Sequence, residues 1–185
     1  EALVLCGAPA DLVIGIETPT LELTHELMKQ CDRVLATGGG AMVTAAYSSG
    51  TPALGVGVGN ACITVDDSAD LDEAAEKIRI SKTLDLAASC SSDNSVLIFE
   101  SVYDEMLAKL MHEGGYLLNE VEKEKLKNTI WVDGHLNTAI VAQPAHKIAG
   151  MAGIELPEGK QFLIVPETGA GPDHPRWHRG GLRCQ

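Results

Sequence analysis

The residue with the clearest potential for chemistry is Cys90, which lies in the small polar run Ser89-Cys90-Ser91-Ser92-Asp93. A cysteine acts as a nucleophile when its thiol is partly accessible and its surroundings favour the thiolate, and an irregular polar loop allows both. Cysteines that do no chemistry are also common in protein cores, so the pattern alone leaves a structural role open. Cys90 is nevertheless the first candidate for a catalytic nucleophile.

The other four cysteines are weaker candidates than Cys90. Cys6 and Cys62 stand in apolar runs and are predicted to be core residues of strands, while Cys31 falls at a predicted helix end and Cys184 in an irregular C-terminal segment. The sequence has no C-x-x-C pair and no metal-binding histidine spacing, so we predict no metal site. A dyad of Cys90 with a distant histidine stays open, because such partners meet only in the fold.

A second candidate site is the run Thr37-Gly38-Gly39-Gly40-Ala41, between a predicted strand and a predicted helix. Backbone N–H groups at a helix N-terminus attract phosphate, and glycine lets a ligand approach the backbone closely. The spacing is not G-x-G-x-x-G, and a tight strand-to-helix turn without a ligand explains it equally well. Thr37, Gly38 and Gly39 are therefore candidates for cofactor binding.

A third candidate is Glu167 in the run Pro166-Glu167-Thr168-Gly169, which follows a predicted strand. A carboxylate at the C-terminal end of a strand can accept hydrogen bonds from the hydroxyls of a ribose. An exposed turn acid with no ligand is the structural alternative, and the pattern alone favours that alternative.

Alternating strand and helix signals must position these residues. In the N-terminal part, the apolar and capping patterns predict strands at 12–16, 33–36 and from 52, a helix beginning at Thr18-Pro19 and ending near 29, and a helix at 41–48. This order is typical of an α/β fold with a parallel sheet and helices on its faces.

The remaining part continues the alternation. We predict strands at 62–65, 96–99 and 162–165 and helices at 71–83, 103–113, 120–131 and 145–153. The lysines of the third of these helices (Lys123, Lys125 and Lys127) stand among glutamates and are interpreted as a solvated face.

Composition excludes several classes of function. The 185 residues are 45% hydrophobic and 22% charged, as in folded globular proteins, and 14 basic against 26 acidic residues give a net charge of −12. We therefore expect no nucleic-acid partner, since such proteins present a basic face. The sequence has no apolar run of membrane-spanning length and no leader, and its scattered cysteines favour free thiols in the cytoplasm.

Three stretches of the sequence together resemble the coenzyme A-acylating branch of the aldehyde dehydrogenase superfamily. They are residues 36–43 with 45–50, Ser81-Lys82-Thr83 with 90–93, and 166–169 with Gly171-Pro172. The resemblance runs from about residue 7 to residue 175. It implies an aldehyde dehydrogenase-like α/β fold, with the C-terminal part of a Rossmann-like NAD(P)-binding domain at 1–60 and part of a catalytic domain at 61–175.

The resemblance also implies a chemistry. Cys90 would attack the aldehyde carbon, hydride would pass to NAD or NADP, and the resulting thioester would be released to coenzyme A. Thr37, Gly38 and Gly39 would lie along the cofactor, and Glu167 would bind the nicotinamide ribose. The full-length protein would be a homo-oligomer, as is usual in this family.

The sequence departs from the family at two positions and leaves the substrate open. Asp93 stands where this branch has Glu, and Gly55 aligns with the Glu that activates water in hydrolytic members, which fits release to a thiol. The runs 89–92, 113–117 and 131–134 most resemble those of members of this branch that use sulfoacetaldehyde, which implies that substrate, with succinate semialdehyde and acetaldehyde as alternatives. A non-catalytic nucleotide-binding fragment is the alternative from a different class.

Both ends of the sequence look irregular. It begins at Glu1 inside an apolar run, and residues 176–185 hold three of the five arginines without any amphipathic period. We interpret the chain as an internal fragment, inactive by itself, whose last ten residues come from another reading frame or an artificial junction. A natural basic C-terminus is the alternative.

Overall fold

A computed structural model describes residues 2–57, 59 and 61–168 of the chain. The irregular C-terminal segment at 176–185, Cys184 and the end of the third motif lie outside these residues. The chain divides into two compact units, residues 1–57 and residues 58–185. No helix in the described ranges is both long enough and apolar enough to cross a membrane.

The first unit contains a βαβ arrangement. Its elements are α1 (Ala2–Leu5), α2 (Leu21–Gln30), β1 (Val34–Thr37), α3 (Gly40–Tyr47) and β2 (Ala53–Val56). Strands β1 and β2 are parallel, with Val34 opposite Ala53 and Thr37 opposite Val56, and α3 makes the connection between them. The small core of this unit is formed by Met28, Ala36 and Ala46.

The strand predicted at 12–16 is wrong. These residues form turns and irregular backbone, and Leu12, Val13 and Ile14 are exposed. The sheet described in this unit pairs only β1 with β2, so the apolar run at 12–16 has no strand beside it to supply ladder hydrogen bonds. The local apolar signal is that of a strand, but tertiary pairing decides whether a strand forms.

The start of the first predicted helix is also corrected. Thr20, not Thr18, is the N-cap of α2, because its side chain accepts a hydrogen bond from the Leu23 N–H at 3.1 Å. Proline therefore precedes the cap and does not occupy the first helical position. Both candidate caps are threonines, which is why the sequence does not separate them.

The second unit has ten helices and strands in its described residues. They are β3 (Ala61–Val65), α4 (Leu71–Thr83), β4 (Asp93–Ile98), α5 (Tyr103–His112), β5 (Gly115–Leu117), α6 (Glu120–Ile130), β6 (Trp131–Val132), β7 (His135–Leu136), α7 (Ala145–Met151) and β8 (Phe162–Ile164). Short 3₁₀ turns occupy 100–102 and 138–140, and residues 84–87 form a turn in which Asp85, Leu86 and Ala87 have positive φ.

Two parallel strand pairs organise this unit. Strand β3 pairs with β4 and β5 pairs with β8, and a register shift between Ala61 and Cys62 marks the start of the β3–β4 pair. Helices α4 and α5 cover the first pair through a core that includes Val65, Ile78, Met106 and Phe162. A second core lies under α6 and α7. It contains Leu118, Leu126, Ile140, Ala145, Ile148, Ala149, Ile154 and Leu163.

The prediction that Cys6 and Cys62 are core residues is wrong. Cys6 follows α1 in a turn and is exposed, and Cys62 lies within β3 but is also exposed. Along β3 the side chains alternate between partly buried and exposed, and Cys62 falls on the exposed side with Thr64. An apolar run locates a strand but does not assign the face of each residue.

Candidate active site

The turn between β1 and α3 carries the three predicted cofactor-binding residues. Thr37 ends β1, Gly38 donates a backbone hydrogen bond to Val56 O at 3.0 Å, and Gly39 is the N-cap of α3. A Cβ added at Gly39 would meet no atom of the described structure within 4 Å. The backbone of this turn therefore faces open space, as a phosphate-binding turn requires.

Gly55 has a packing role in the same unit. A Cβ at this position would lie 2.5 Å from Val43 Cγ1 and 2.9 Å from Tyr47 Cε2, both on α3. The Gly55 N–H also donates to the Tyr47 hydroxyl at 3.1 Å. A glutamate at position 55 would displace α3. The close packing of α3 on β2 therefore requires a residue without a side chain at this position.

Cys90 lies in the loop that joins the end of α4 to β4, and its residue is exposed. The neighbouring hydroxyls of Ser89 and Ser91 are 2.9 Å apart, and the Ser92 N–H donates to Ser89 O at 3.2 Å. These contacts make Cys90 the tip of a tight turn of small residues. None of the described hydrogen bonds joins Cys90 to a histidine, so the dyad left open above gains no support within the described residues.

The base of this loop is tied to α4. Ser81 Oγ accepts a hydrogen bond from the Asp93 N–H at 3.1 Å, and Lys82 Nζ donates to Asn94 Oδ1 at 3.1 Å. Lys82 is only 9% exposed. In the sequence, Ser81 and Lys82 stand out only as part of a motif, and their contacts across about a dozen residues cannot be read from it.

Glu167 follows β8 and is paired with Lys123 of α6. Lys123 Nζ lies 3.2 Å from Glu167 Oε2 and donates to Pro166 O at 2.9 Å. The two side chains are only 18% and 24% exposed. Lys125 of the same helix donates to Gly153 O at 3.2 Å. The interpretation of the α6 lysines as a solvated face is therefore wrong for Lys123, which contacts the segment after β8, whereas Lys125 stays exposed.

Cys90 and Glu167 lie at opposite ends of the strands that carry them. Cys90 precedes β4, whereas Glu167 follows β8. A cavity of about 250 Å³ in this unit is lined by the end of α4 with the turn after it, by residues 143–146, and by the start of β8 with the two residues before it. Its lining residues are Lys82, Thr83, Leu86, Ala87, Gln143, Pro144, Ala145, His146, Lys160, Gln161 and Phe162.

Glu167 lies five positions after Phe162, the first residue of β8, and three positions after the strand ends. Thr37, Gly38 and Gly39 belong to the first unit, whereas Cys90 and Glu167 belong to the second.

The electrostatics near β8 include a tyrosine–carboxylate contact. Tyr116 of β5 donates its hydroxyl to Glu122 Oε1 at 2.9 Å, and this hydrogen bond raises the pKa of Tyr116 above its usual value. Glu122 also accepts from the Asn119 N–H through Oε2 at 3.0 Å, which completes a capping box at the start of α6. Glu122 thereby fixes α6, and with it Lys123, against β5.

Groups of three or more potential metal ligands are absent from the described ranges. Around Cys90 the described polar side chains of the loop include the hydroxyls of Ser89 and Ser91.

The chain is similar to curated proteins over most of its length. It is 49% identical over 164 residues to the acylating sulfoacetaldehyde dehydrogenase of Bilophila wadsworthia, covering 86% of this chain and 35% of that protein. It is 43% identical over 180 residues to the bifunctional aldehyde-alcohol dehydrogenase of Escherichia coli K12, covering 96% and 20%. It is 38% identical over 166 residues to the acetylating succinate-semialdehyde dehydrogenase of Clostridium kluyveri, covering 89% and 37%.

Solved structures match the fold as well. The acetylating aldehyde dehydrogenase of Geobacillus thermoglucosidasius aligns with a TM-score of 0.87 at 43% identity, covering 94% of this chain and 39% of that one. The propionaldehyde dehydrogenase of Rhodopseudomonas palustris, solved with bound coenzyme A and an acylated cysteine, aligns with a TM-score of 0.82 at 25% identity, covering 94% and 40%.

No model of a known protein family matches the chain. The chain spans about a third of the length of the first curated relative it matches. The matches extend over both described units, and they confirm the mixed α/β fold with parallel strand pairs.

Proposed function

The chain belongs to the coenzyme A-acylating branch of the aldehyde dehydrogenase superfamily, and we propose a reaction for the complete protein on that basis. The complete enzyme oxidises a small aldehyde with NAD or NADP and passes the acyl group to coenzyme A. The observation that carries the proposal is the exposed thiol of Cys90 in the loop that enters β4. A related structure with an acylated cysteine and bound coenzyme A supports it.

The dinucleotide fits the turn between β1 and α3. A Cβ at Gly39 would meet no neighbour within 4 Å, so a phosphate can approach the backbone there, and Thr37 and Gly38 flank the same turn. The bound nicotinamide supplies the acceptor for the hydride. In this proposal residues 1–60 are the C-terminal part of the nucleotide-binding domain and residues 61–175 are part of the catalytic domain.

Cys90 forms the covalent bond to the substrate. Its thiolate attacks the aldehyde carbon, and the carbonyl electron pair moves to oxygen to give a thiohemiacetal. Loss of hydride from that carbon leaves a thioester on Cys90. The thiolate of coenzyme A then attacks the thioester carbonyl, and the bond to Cys90 breaks to release acyl-coenzyme A and the free thiolate.

The acyl acceptor is a thiol and not water. Gly55 has no carboxylate, and the packing of Val43 and Tyr47 leaves no room for one. Without a general base at this position the thioester on Cys90 persists until a better nucleophile arrives.

The substrate proposed first is sulfoacetaldehyde. The relative with that name is 49% identical to the chain, whereas the relative named for succinate semialdehyde is 38% identical. Succinate semialdehyde and acetaldehyde are the alternatives, and the choice between NAD and NADP is open.

Glu167 is proposed to bind the nicotinamide ribose, and the ion pair with Lys123 bears on that role. Its carboxylate already has an ammonium within 3.2 Å through one oxygen, so a ribose would have to share the group. The same geometry supports a purely structural role, in which Lys123 fastens the end of β8 to α6. Glu167→Gln and Lys123→Met separate the two roles.

We propose that the complete protein lies in the cytoplasm and assembles into a homo-oligomer, as the resemblance to the family implies. Cys6, Cys62 and Cys90 are exposed free thiols, which fits the reducing cytoplasm. We expect a homo-oligomer of the complete protein.

The complete protein tests the reaction directly. Formation of NADH and NADPH is followed with sulfoacetaldehyde, succinate semialdehyde and acetaldehyde, each with and without coenzyme A. We expect turnover that requires coenzyme A and disappears in Cys90→Ala. Acyl-coenzyme A formation by Cys90→Ala would exclude Cys90 as the nucleophile, and turnover without coenzyme A would exclude the acylating reaction. Absence of turnover with every aldehyde would favour a nucleotide-binding role.

A further inference from the structure

Both ends of the loop that carries Cys90 lie next to the last turn of α4. The Asp93 N–H donates to Ser81 Oγ at 3.1 Å, and Lys82 Nζ donates to Asn94 Oδ1 at 3.1 Å. Asp93 and Asn94 are the first two residues of β4. The loop from 84 to 92 is therefore closed into a ring by two side-chain contacts.

Lys82 is an unusual residue for this place. Lysine is almost never fully buried in proteins, because removing an ammonium from water is costly unless polar partners surround it. Lys82 is 9% exposed, whereas Lys77 on the same helix is largely exposed and pairs with Glu73 at the surface. The buried ammonium lies where it joins the helix to the first residues of β4.

The loop itself holds an unfavourable backbone. Asp85, Leu86 and Ala87 have φ values of 50°, 53° and 56°, the left-handed region that side chains with a Cβ disfavour. Such a conformation costs about 1–2 kcal/mol per residue. Three consecutive residues of this kind persist only where the surrounding structure enforces the conformation.

The backbone of Cys90 also lies close to Gly59. A Cβ added at Gly59 would lie 3.2 Å from the carbonyl oxygen of Cys90, so a side chain at position 59 would crowd the loop at Cys90.

We propose that Ser81 and Lys82 are positioning residues for Cys90. They hold a strained loop in the conformation that presents its thiol, and loss of either contact lets the left-handed residues relax and moves Cys90. This inference rests on the proposed role of Cys90 as the nucleophile.

Alkylation of individual cysteines in the chain tests the inference without catalysis. Iodoacetamide modification is followed by peptide mass spectrometry, and the rate at Cys90 is divided by the rate at Cys62, an exposed thiol of the same unit. We expect Lys82→Met to lower this ratio by about fivefold or more, toward that of an ordinary exposed thiol. Ser81→Ala lowers it less, and Lys82→Arg, which keeps a charged donor, retains most of it.

Lys77→Met is the matched control, because it removes an exposed lysine from the same helix and should leave the ratio unchanged. Unfolding of Lys82→Met would appear as loss of the helical circular dichroism signal, and Ser81→Ala and Lys82→Arg then decide. A ratio that stays at its original value in Lys82→Met and Ser81→Ala overturns the inference.

The complete enzyme separates this inference from the proposed function. There Lys82→Met should lower kcat by about tenfold, while the KM for the dinucleotide changes little. If Cys90 and Cys62 react equally fast in the unsubstituted chain, and the complete protein shows no turnover, then Cys90 is not the nucleophile. A reactive Cys90 whose rate is insensitive to Ser81 and Lys82 rejects only their positioning role.

Discussion

Lys123 of α6 and Glu167 after β8 form an ion pair with an Nζ–Oε2 distance of 3.2 Å, and both side chains are largely buried. The same ammonium donates to the carbonyl oxygen of Pro166 at 2.9 Å. One lysine thus fixes both the backbone and the side chain at the end of β8. Pro166 is 43 residues away from Lys123 in the sequence, so the contact joins two distant segments of the second unit.

Lys123→Met should lower the free energy of unfolding of the chain by about 1–3 kcal/mol, because it removes a charged donor from two partly buried acceptors. Urea denaturation measures the change. Lys127→Met provides the control, since Lys127 pairs with Glu124 at the surface and should contribute within about 0.5 kcal/mol. Equal effects of the two variants would show that burial adds nothing to the Lys123 contact.

Glu167→Gln separates the two proposed roles of Glu167. If the carboxylate binds the ribose, the Kd of the complete protein for the dinucleotide should rise about tenfold or more, the loss expected for a charged hydrogen bond. Lys123→Met would then change the Kd much less than Glu167→Gln. A Kd that is unchanged in Glu167→Gln, with a loss of stability similar to that of Lys123→Met, assigns Glu167 to the fold alone.

Gly39→Val should weaken dinucleotide binding without destabilising the first unit. A Cβ at this position would have no described atom within 4 Å, so the fold accommodates a side chain that a bound phosphate does not. Isothermal calorimetry on the complete protein measures binding, and thermal unfolding measures the fold. Gly150→Val in α7 is the control, since that glycine also has no neighbour within 4 Å and lies in the second unit. Equal dinucleotide affinity in both variants would remove Gly39 from the binding site.

Gly55→Ala should destabilise the chain by about 1–3 kcal/mol through overpacking against α3. A Cβ at this position would be 2.5 Å from Val43 Cγ1, so the second substitution Val43→Ala should recover part of the loss. Urea denaturation of the single and double variants gives the coupling. Additive effects of the two substitutions would mean that the Cβ at position 55 does not contact Val43, because α3 shifts away from β2 without cost. Gly55 would then not be required for packing.

Ala87→Gly should destabilise the chain less than Ala88→Gly, although Ala87 is only 2% exposed and loses a buried methyl group. Ala87 has φ of 56°, and glycine occupies this region without the steric penalty of about 1–2 kcal/mol that a Cβ brings. Ala88→Gly is the matched control, because Ala88 has φ of −69° and gains nothing from the change. The urea midpoint of Ala87→Gly should therefore lie above that of Ala88→Gly. A midpoint below that of Ala88→Gly contradicts the left-handed conformation of Ala87.

Alkaline pH should remove a stabilising contact at Tyr116. The hydrogen bond to Glu122 raises the pKa of Tyr116 above 10.0, so its contribution is complete below pH ~10 and is lost as the pH rises through the higher pKa of the folded chain. Ultraviolet titration should show a tyrosine that ionises above pH ~10, and Tyr116→Phe should abolish that step. A titration curve above pH ~10 that is unchanged in Tyr116→Phe would contradict the contact with Glu122.

Local signals predict much of the fold of the second unit. Helix α4 runs from Leu71 to Thr83 as the periodicity indicates, because Asp70 caps it and Ala75 and Ile78 face the core. The same signals fail at 12–16, where an apolar run has no described strand to pair with. Strand β5 and the β6–β7 hairpin escape sequence-based prediction because elements of two or three residues carry too little periodicity to be recognised.

Motifs locate the candidate site, but its supporting contacts could not be predicted. The small polar run around Cys90 indicates an exposed loop, and the cysteine is exposed. The positions of Lys82 and Lys123 could not be inferred, since a lysine on a helix is ordinarily solvated and only tertiary structure brings Asn94 or Glu167 to it. The left-handed turn before Cys90 is equally hidden in the sequence, because Leu and Ala give no sign of positive φ.

The amide of Asp93 offers a spectroscopic reporter for the loop. Its hydrogen bond goes to the hydroxyl of Ser81, so its exchange with deuterium depends on the contact between α4 and the start of β4. The neighbouring strand amides exchange only when the β3–β4 ladder opens. A nuclear magnetic resonance experiment that compares the two exchange rates would therefore reveal how often the loop around Cys90 opens while the sheet stays closed.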